Sequence, residues 1–248
     1  MHCKNCGNIV HHKYCPHCGQ KASVERITFH FLWHQLFHFF THLEKGFLFT
    51  SFGMLMRPGK TVNEYIRGKR IVYQPPVSYF LVWIAIYALM LYLVKETFGE
   101  GAVIDYKNYF GSGVSTQYAI NHLGIVLSIL LPVFAFYIYL LTTTRIFNYA
   151  ECLVVVFYAL GTIIFAQAIF VVISVMVFLG TKNSMDLQFS DAFKVIYLFW
   201  FGLTFMKQQP LKNRLLRAVF FTLLCFGSFT LWRLIIYPQV SARFLGSH

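Results

Sequence analysis

Apolar residues run along this chain in long blocks rather than short alternations. Three windows carry no Asp, Glu, Lys or Arg: Ile71–Val94, Asn108–Thr144 and Cys152–Thr181. Each can hold a helix of about 20 residues, the length that crosses a ~30 Å hydrocarbon core. Two shorter windows follow. Val195–Met206 lies between Lys194 and Lys207, and Ala218–Trp232 lies between Arg217 and Arg233, with Leu234–Tyr237 continuing the apolar character. Basic side chains at such edges snorkel toward headgroups and lengthen the usable stretch. The pattern predicts five spans, the fourth being the shortest.

Upstream the texture changes. His30, His34, His38 and His42 recur at every fourth position of the otherwise apolar run Thr28–Leu43. Positions four apart turn by about 40° in a helix, so the imidazoles form a stripe roughly 120° wide. Aromatic and leucine side chains cover the rest, the pattern of a helix lying in a membrane interface. A short surface helix is predicted over Lys60–Lys69, after the break at Pro58 and Gly59. Pro75–Pro76 mark the approach to the first span.

Composition agrees with the blocks: 57% of the 248 residues are hydrophobic and only 12% are charged, far from the balance of a soluble domain. Charge then orients the chain. Residues 1–77 hold ten Lys and Arg against Glu25, Glu44 and Glu64, and 207–217 hold four bases and no acid. The connections 95–122 and 181–194 are balanced or slightly acidic. Cytoplasmic loops retain the excess of Lys and Arg, so five spans place the N-terminus in the cytoplasm and the C-terminus outside. The first 26 residues lack the apolar core of a signal peptide, and the expected location is the cytoplasmic (inner) membrane.

Those first residues read "CKNCGNIVHHKYCPHCGQK". Cys3, Cys6, Cys15 and Cys18 form two C-x-x-C knuckles eight residues apart, able to deliver four thiolates to one tetrahedral zinc. Gly7 and Gly19 follow each second cysteine, where the chain must turn closely. His11, His12 or His17 is an alternative fourth ligand. A disulfide framework is not expected in a reducing compartment. Four cysteines fill the coordination shell, which leaves no place for a catalytic water. The zinc therefore reads as a staple for a segment too short to build a core, or as a docking module for a cytoplasmic protein. Lys4, Lys13 and Lys21 are too few to suggest nucleic acid.

Three readings of the histidine stripe stay open. It is a polar edge facing headgroups; or His30, His34, His38 and His42 bind a second metal, since imidazoles at i and i+4 can share one ion; or the stripe senses pH near anionic lipid. Arg57, Lys60, Arg67, Lys69 and Arg70, against Glu64 alone, suit anionic lipid headgroups at ~1 kcal/mol per basic residue, and serve equally as a topology signal. "GMLMRPGKT" is not a phosphate-binding loop: five residues separate Gly53 from Gly59 where four are needed, and Pro58 removes an amide. The predicted spans offer no paired carboxylates or buried lysine for acid–base chemistry. Gln167 reads as an interhelical hydrogen-bonding residue.

The segments "CKNCG", "YCPHCGQKA", "ITF", "FTHLEKGFLFT" and "RPGKTVNEYIRGKR" together resemble an uncharacterised bacterial family of zinc-ribbon-headed multi-span membrane proteins, over roughly residues 3–76. At the level of pattern, "NYAECLVVVFYALGTIIF" and "VIYLFWFGLTFMKQQPLKNRLLRAVFFTLL" look like Yip-type five-span proteins. There a short polar segment introduces the third span and a basic loop joins the last two. That resemblance implies a part in membrane organisation or trafficking without an agreed enzymatic activity. The N-terminal region through which eukaryotic members meet small GTPases has no matching residues here.

The expected architecture is an all-α integral membrane protein. It comprises a zinc ribbon (1–22), an amphipathic, histidine-bearing and basic membrane-surface region (23–76), a five-span domain (77–240) and a short tail (241–248). The expected function is that of a non-enzymatic scaffold or adaptor engaging lipid and a cytoplasmic partner. A metalloenzyme built on the histidine stripe and a transporter or channel are the alternatives.

Overall fold

The computed structural model describes residues 1–37, 46–99, 104–105, 130–142, 147–186, 188–207 and 211–231. Eight helices make up the described fold: α1 (Phe29–Phe37), α2 (Phe47–Met56), α3 (Pro58–Ile66), α4 (Pro76–Phe98), α5 (Leu130–Leu141), α6 (Tyr149–Thr181), α7 (Gln188–Phe205) and α8 (Leu211–Leu231). One two-residue parallel pairing joins β1 (Ile104–Asp105) to β2 (Met185–Asp186).

Proline starts two of these helices. Pro58 and Pro76 occupy first-turn positions, where the missing N–H would have found no partner. The start of α6 is fixed by side chains. Asn148 Oδ1 accepts from the Glu151 amide at 2.8 Å, and Glu151 Oε2 accepts from the Asn148 amide at 2.8 Å, a reciprocal capping box. From there the helix runs 33 residues, about 50 Å, well beyond the ~30 Å of a hydrocarbon core.

The helices α4 and α6 form the spine and run the same way. Tyr79, near the start of α4, meets Tyr158 and Thr162 in the third and fourth turns of α6, and Phe98 meets Phe178 near the last turns of both. Gly161 permits the close approach, because a Cβ there would stand 2.7 Å from the Tyr79 ring. α7 returns to the starting end, where Thr204 receives the Gly59 amide at 3.3 Å. α8 then leaves it, packed so that Gly202 faces Ala218.

Among the described residues two helices, α4 and α6, are long and apolar enough to cross a membrane, which corrects the expected five. The second expected span overlaps α5, twelve residues and about 18 Å long, while 108–129 lies outside the described residues. The charge-free windows of the last two expected spans overlap helices that also run through Asp191 and Lys194, and through Lys212, Arg214 and Arg217. Charged residues with good helix propensity extend a helix but interrupt its apolar run, so helix length and apolar length part company.

The segment between ribbon and first span is not a separate surface layer. Val62 and Tyr65 of α3 are fully buried, and Tyr65 stacks edge-on against Tyr158. In α2 the polarity is inverted. Thr50 and Ser51 are fully buried, while Leu48, Phe52 and Met56 are 61%, 57% and 71% exposed. Ser51 accepts from the Trp83 indole at 3.1 Å, and Thr50 accepts from the Gln74 amide at 2.8 Å.

Candidate metal centre

The first 22 residues fold as a repeat with an offset of twelve. The Cys3 amide donates to Asn8 and the Gly7 amide to Cys3. Twelve residues on, the Cys15 amide donates to Gln20 and the Gly19 amide to Cys15. Gly7 and Gly19 hold φ of 80° and 75°, the left-handed region that glycine adopts without strain. Single antiparallel bridges, His2 with Ile9 and Tyr14 with Lys21, close the two turns.

This repeat brings four sulfurs together. All lie within 4.8 Å of one another, and Cys3 to Cys18 and Cys6 to Cys15 are each 3.6 Å apart. Four thiolates around one tetrahedral ion at a metal–sulfur distance of ~2.3 Å would sit about 3.8 Å apart, so the cluster has the size of such a site. Its electrostatics fit too. The Cys6 amide bonds the Cys3 sulfur and brings that thiol down to about 6, despite opposing burial. The Asn8 amide favours the Cys6 thiolate, but burial and the neighbouring sulfurs overcome it and push Cys6 up to about 12. Sulfurs this close cannot all ionise without a cation between them. With it, the donor set is soft, anionic and complete. Among the described residues these cysteines are the one group of three or more metal-capable side chains. His11, His12 and His17 are exposed.

Two amide side chains fasten this head to the helices, and the sequence reading overlooked both. Gln20, 4% exposed, donates from Nε2 to the Gly68 carbonyl at 2.9 Å and accepts from the Arg70 amide at 3.1 Å. Asn5 Oδ1 accepts from the Val72 amide at 3.4 Å. Gly68, at φ 112°, lies so close beneath Lys4 and Val24 that a Cβ would meet the Lys4 side chain at 2.8 Å. Next along the chain, Arg26 donates from Nε and Nη2 to the two carboxylate oxygens of Glu151, both at 2.9 Å, and Asn148 Nδ2 donates to the Ile27 carbonyl at 2.9 Å. The side chain of Glu151 is only 5% exposed. One short segment, 148–151, therefore caps α6 and holds the linker. The N-x-x-E spacing signals that capping box in the sequence; the polar partners of Asn5 and Gln20 leave no comparable signal.

The basic residues of 57–70 divide. Lys60 and Lys69 both reach Glu64, at 3.8 and 3.2 Å, and the Tyr73 hydroxyl donates to the same carboxylate at 2.6 Å. Burial opposes ionisation of Glu64, yet the tyrosine and two ammonium groups hold it below its ordinary value. Arg70 turns inward, its guanidinium 4.7 Å from the Phe31 ring centre and donating to the Glu25 carbonyl at 2.8 Å. Arg57 and Arg67 stay exposed. Of the histidine stripe, His30 and His34 are exposed on α1 beside exposed Phe29 and Trp33. His38 and His42 lie outside the described residues. Gln167 is buried on α6.

Fold and site define an all-helical protein with two membrane-length helices and a four-cysteine cluster able to hold a metal. The family described as "Protein of unknown function (DUF3667)" matches residues 44–88, from just before α2 into α4. No curated protein and no solved structure matches the chain.

Proposed function

We propose that this chain is a multi-span protein of the cytoplasmic membrane whose zinc-filled head braces the cytoplasmic end of the helix bundle, and that it acts as a non-enzymatic scaffold or adaptor. The observation that carries the membrane reading is the apolar exterior of its helices, around a core that holds several hydroxyls and an amide. Thr50, Ser51, Ser78, Thr162, Gln167 and Ser174 are buried, whereas Leu89, Leu93, Ile169, Val172, Ile173, Leu223 and their neighbours form an exposed apolar exterior. Water disfavours so large an exposed apolar face, while lipid tails accept it.

Direction supports further crossings. Parallel helices that both cross require a return crossing between them, and α5 lies on that stretch. α7 returns to the end where α4 and α6 begin, and α8 departs from it. Among the described residues, the bases of the head and of 57–70 and Arg214 and Arg217 lie toward this end, whereas Lys95 and Lys182 lie at the far ends of α4 and α6. That asymmetry favours a cytoplasmic head and N-terminus, with the C-terminus outside.

Zinc is the ion of choice because four closed thiolate ligands at tetrahedral spacing suit it and leave no open position for chemistry. The cysteines would hold it and the knuckle amides would steady their sulfurs. The scaffold reading rests on this closed shell together with the latch to 68–72. Metals should be counted by mass spectrometry on membranes washed with alkaline carbonate. One zinc per chain, lost with Cys15→Ser and Cys18→Ser, and a protein that stays in the membrane pellet are expected. Release by carbonate would overturn the membrane reading; a redox-active metal retained in the cysteine variant would overturn the non-enzymatic one.

A further inference from the structure

Among the described residues, the acids at the basic end of the bundle are already engaged. Among the described acids there, Glu25 faces Lys21, Glu64 receives Lys60, Lys69 and Tyr73, and Glu151 receives Arg26 and the Asn148 amide. The first two turns of α8 carry Arg214 and Arg217, three residues apart and so neighbours on the helix surface. Arg214 Nε and Arg217 Nη1 are buried with no hydrogen-bond partner among the described residues. A guanidinium cannot shed its proton to escape such a position, and an unmet charged donor is costly.

Both arginines keep partial exposure, so each is reachable from the surface. On the face that continues from Arg217, three and seven residues on, Phe220 and Leu224 are exposed. Two planar forks at the border of an apolar surface match a phosphate at the border of the acyl chains. A lipid satisfies both demands at once, which a free anion does not. We propose that Arg214 and Arg217 bind the phosphate of an anionic phospholipid, whose chains lie along Phe220 and Leu224. The proposal rests on the membrane-spanning reading. It also moves lipid recognition away from residues 57–70, where three of the five bases are already engaged within the chain.

The test is native mass spectrometry of protein released from nanodiscs of equal phosphatidylglycerol and phosphatidylcholine. The natural sequence should retain phosphatidylglycerol over phosphatidylcholine. R214Q/R217Q should lower that preference by about tenfold, as expected for lost charge-assisted bonds, with R57Q/R67Q unchanged. R214K/R217K should fall between, since lysine keeps the charge and loses the fork. Equal retention of the two lipids by the natural sequence would overturn the proposal whether or not a variant folds. So would an undiminished preference in the R214Q/R217Q protein, or inorganic phosphate at millimolar concentration binding the arginines without lipid enrichment. A protein released by carbonate would instead overturn the membrane reading itself.

Discussion

Gln20 illustrates how much of this structure hangs on single polar side chains away from the cysteine cluster. It satisfies one carbonyl and one amide of the 68–72 loop, and both lose their partner in Gln20→Ala. The expected cost is about 1–3 kcal/mol, with metal content unchanged, read from thermal unfolding beside zinc analysis. Arg26→Ala is predicted to destabilise by a similar amount, because it leaves the buried Glu151 carboxylate without its cation. Glu64 sets a pH dependence. Its folded value lies below its unfolded one, so its contribution is present at neutral pH and lost as pH falls through the folded value. The stability gap between the natural sequence and Glu64→Gln should therefore shrink in urea titrations run from pH 7 down to below about 4. The cysteines were legible in the sequence because spacing alone encodes a knuckle. Asn5 and Gln20 were not, since their partners lie 67 and 50 positions away and a polar residue in a short ribbon reads as solvent-facing.

Individual helices depend on close backbone contact more than on charge. A Cβ at Gly59 would come within 2.2 Å of the Thr204 backbone, which cannot rotate aside. Gly59→Ala should therefore push α3 off α7 and cost about 1–3 kcal/mol, as overpacking does; an unchanged melting temperature would refute that contact. Helix existence was readable from apolar blocks, but helix ends were not. Lys95, Lys194, Arg214 and Arg217 interrupt an apolar window while remaining good helix residues. α2 was hidden for another reason. "FLFTSFGMLM" is apolar almost throughout, and only the packing shows that Thr50 and Ser51 face inward.

Across the whole molecule, the head, the linker and the α3–α4 loop form one continuous latch. Asn5 and Gln20 grip 68–72, Arg26 grips Glu151, and two residues beyond the loop the Gln74 carbonyl accepts from Tyr158 at 2.6 Å. Removing the metal should dissolve the small ribbon core of Cys3, Val10 and Cys15, because so few residues cannot hold themselves together without it. The latch should then open. The most direct measurement is hydrogen exchange at the Arg70 and Val72 amides, which donate to Gln20 and Asn5, in membrane-reconstituted protein with and without a chelator. Faster exchange at both amides on metal removal, with α4 and α6 still protected, is the predicted result. Unchanged exchange at Arg70 and Val72 after the metal has left would contradict a metal-braced head.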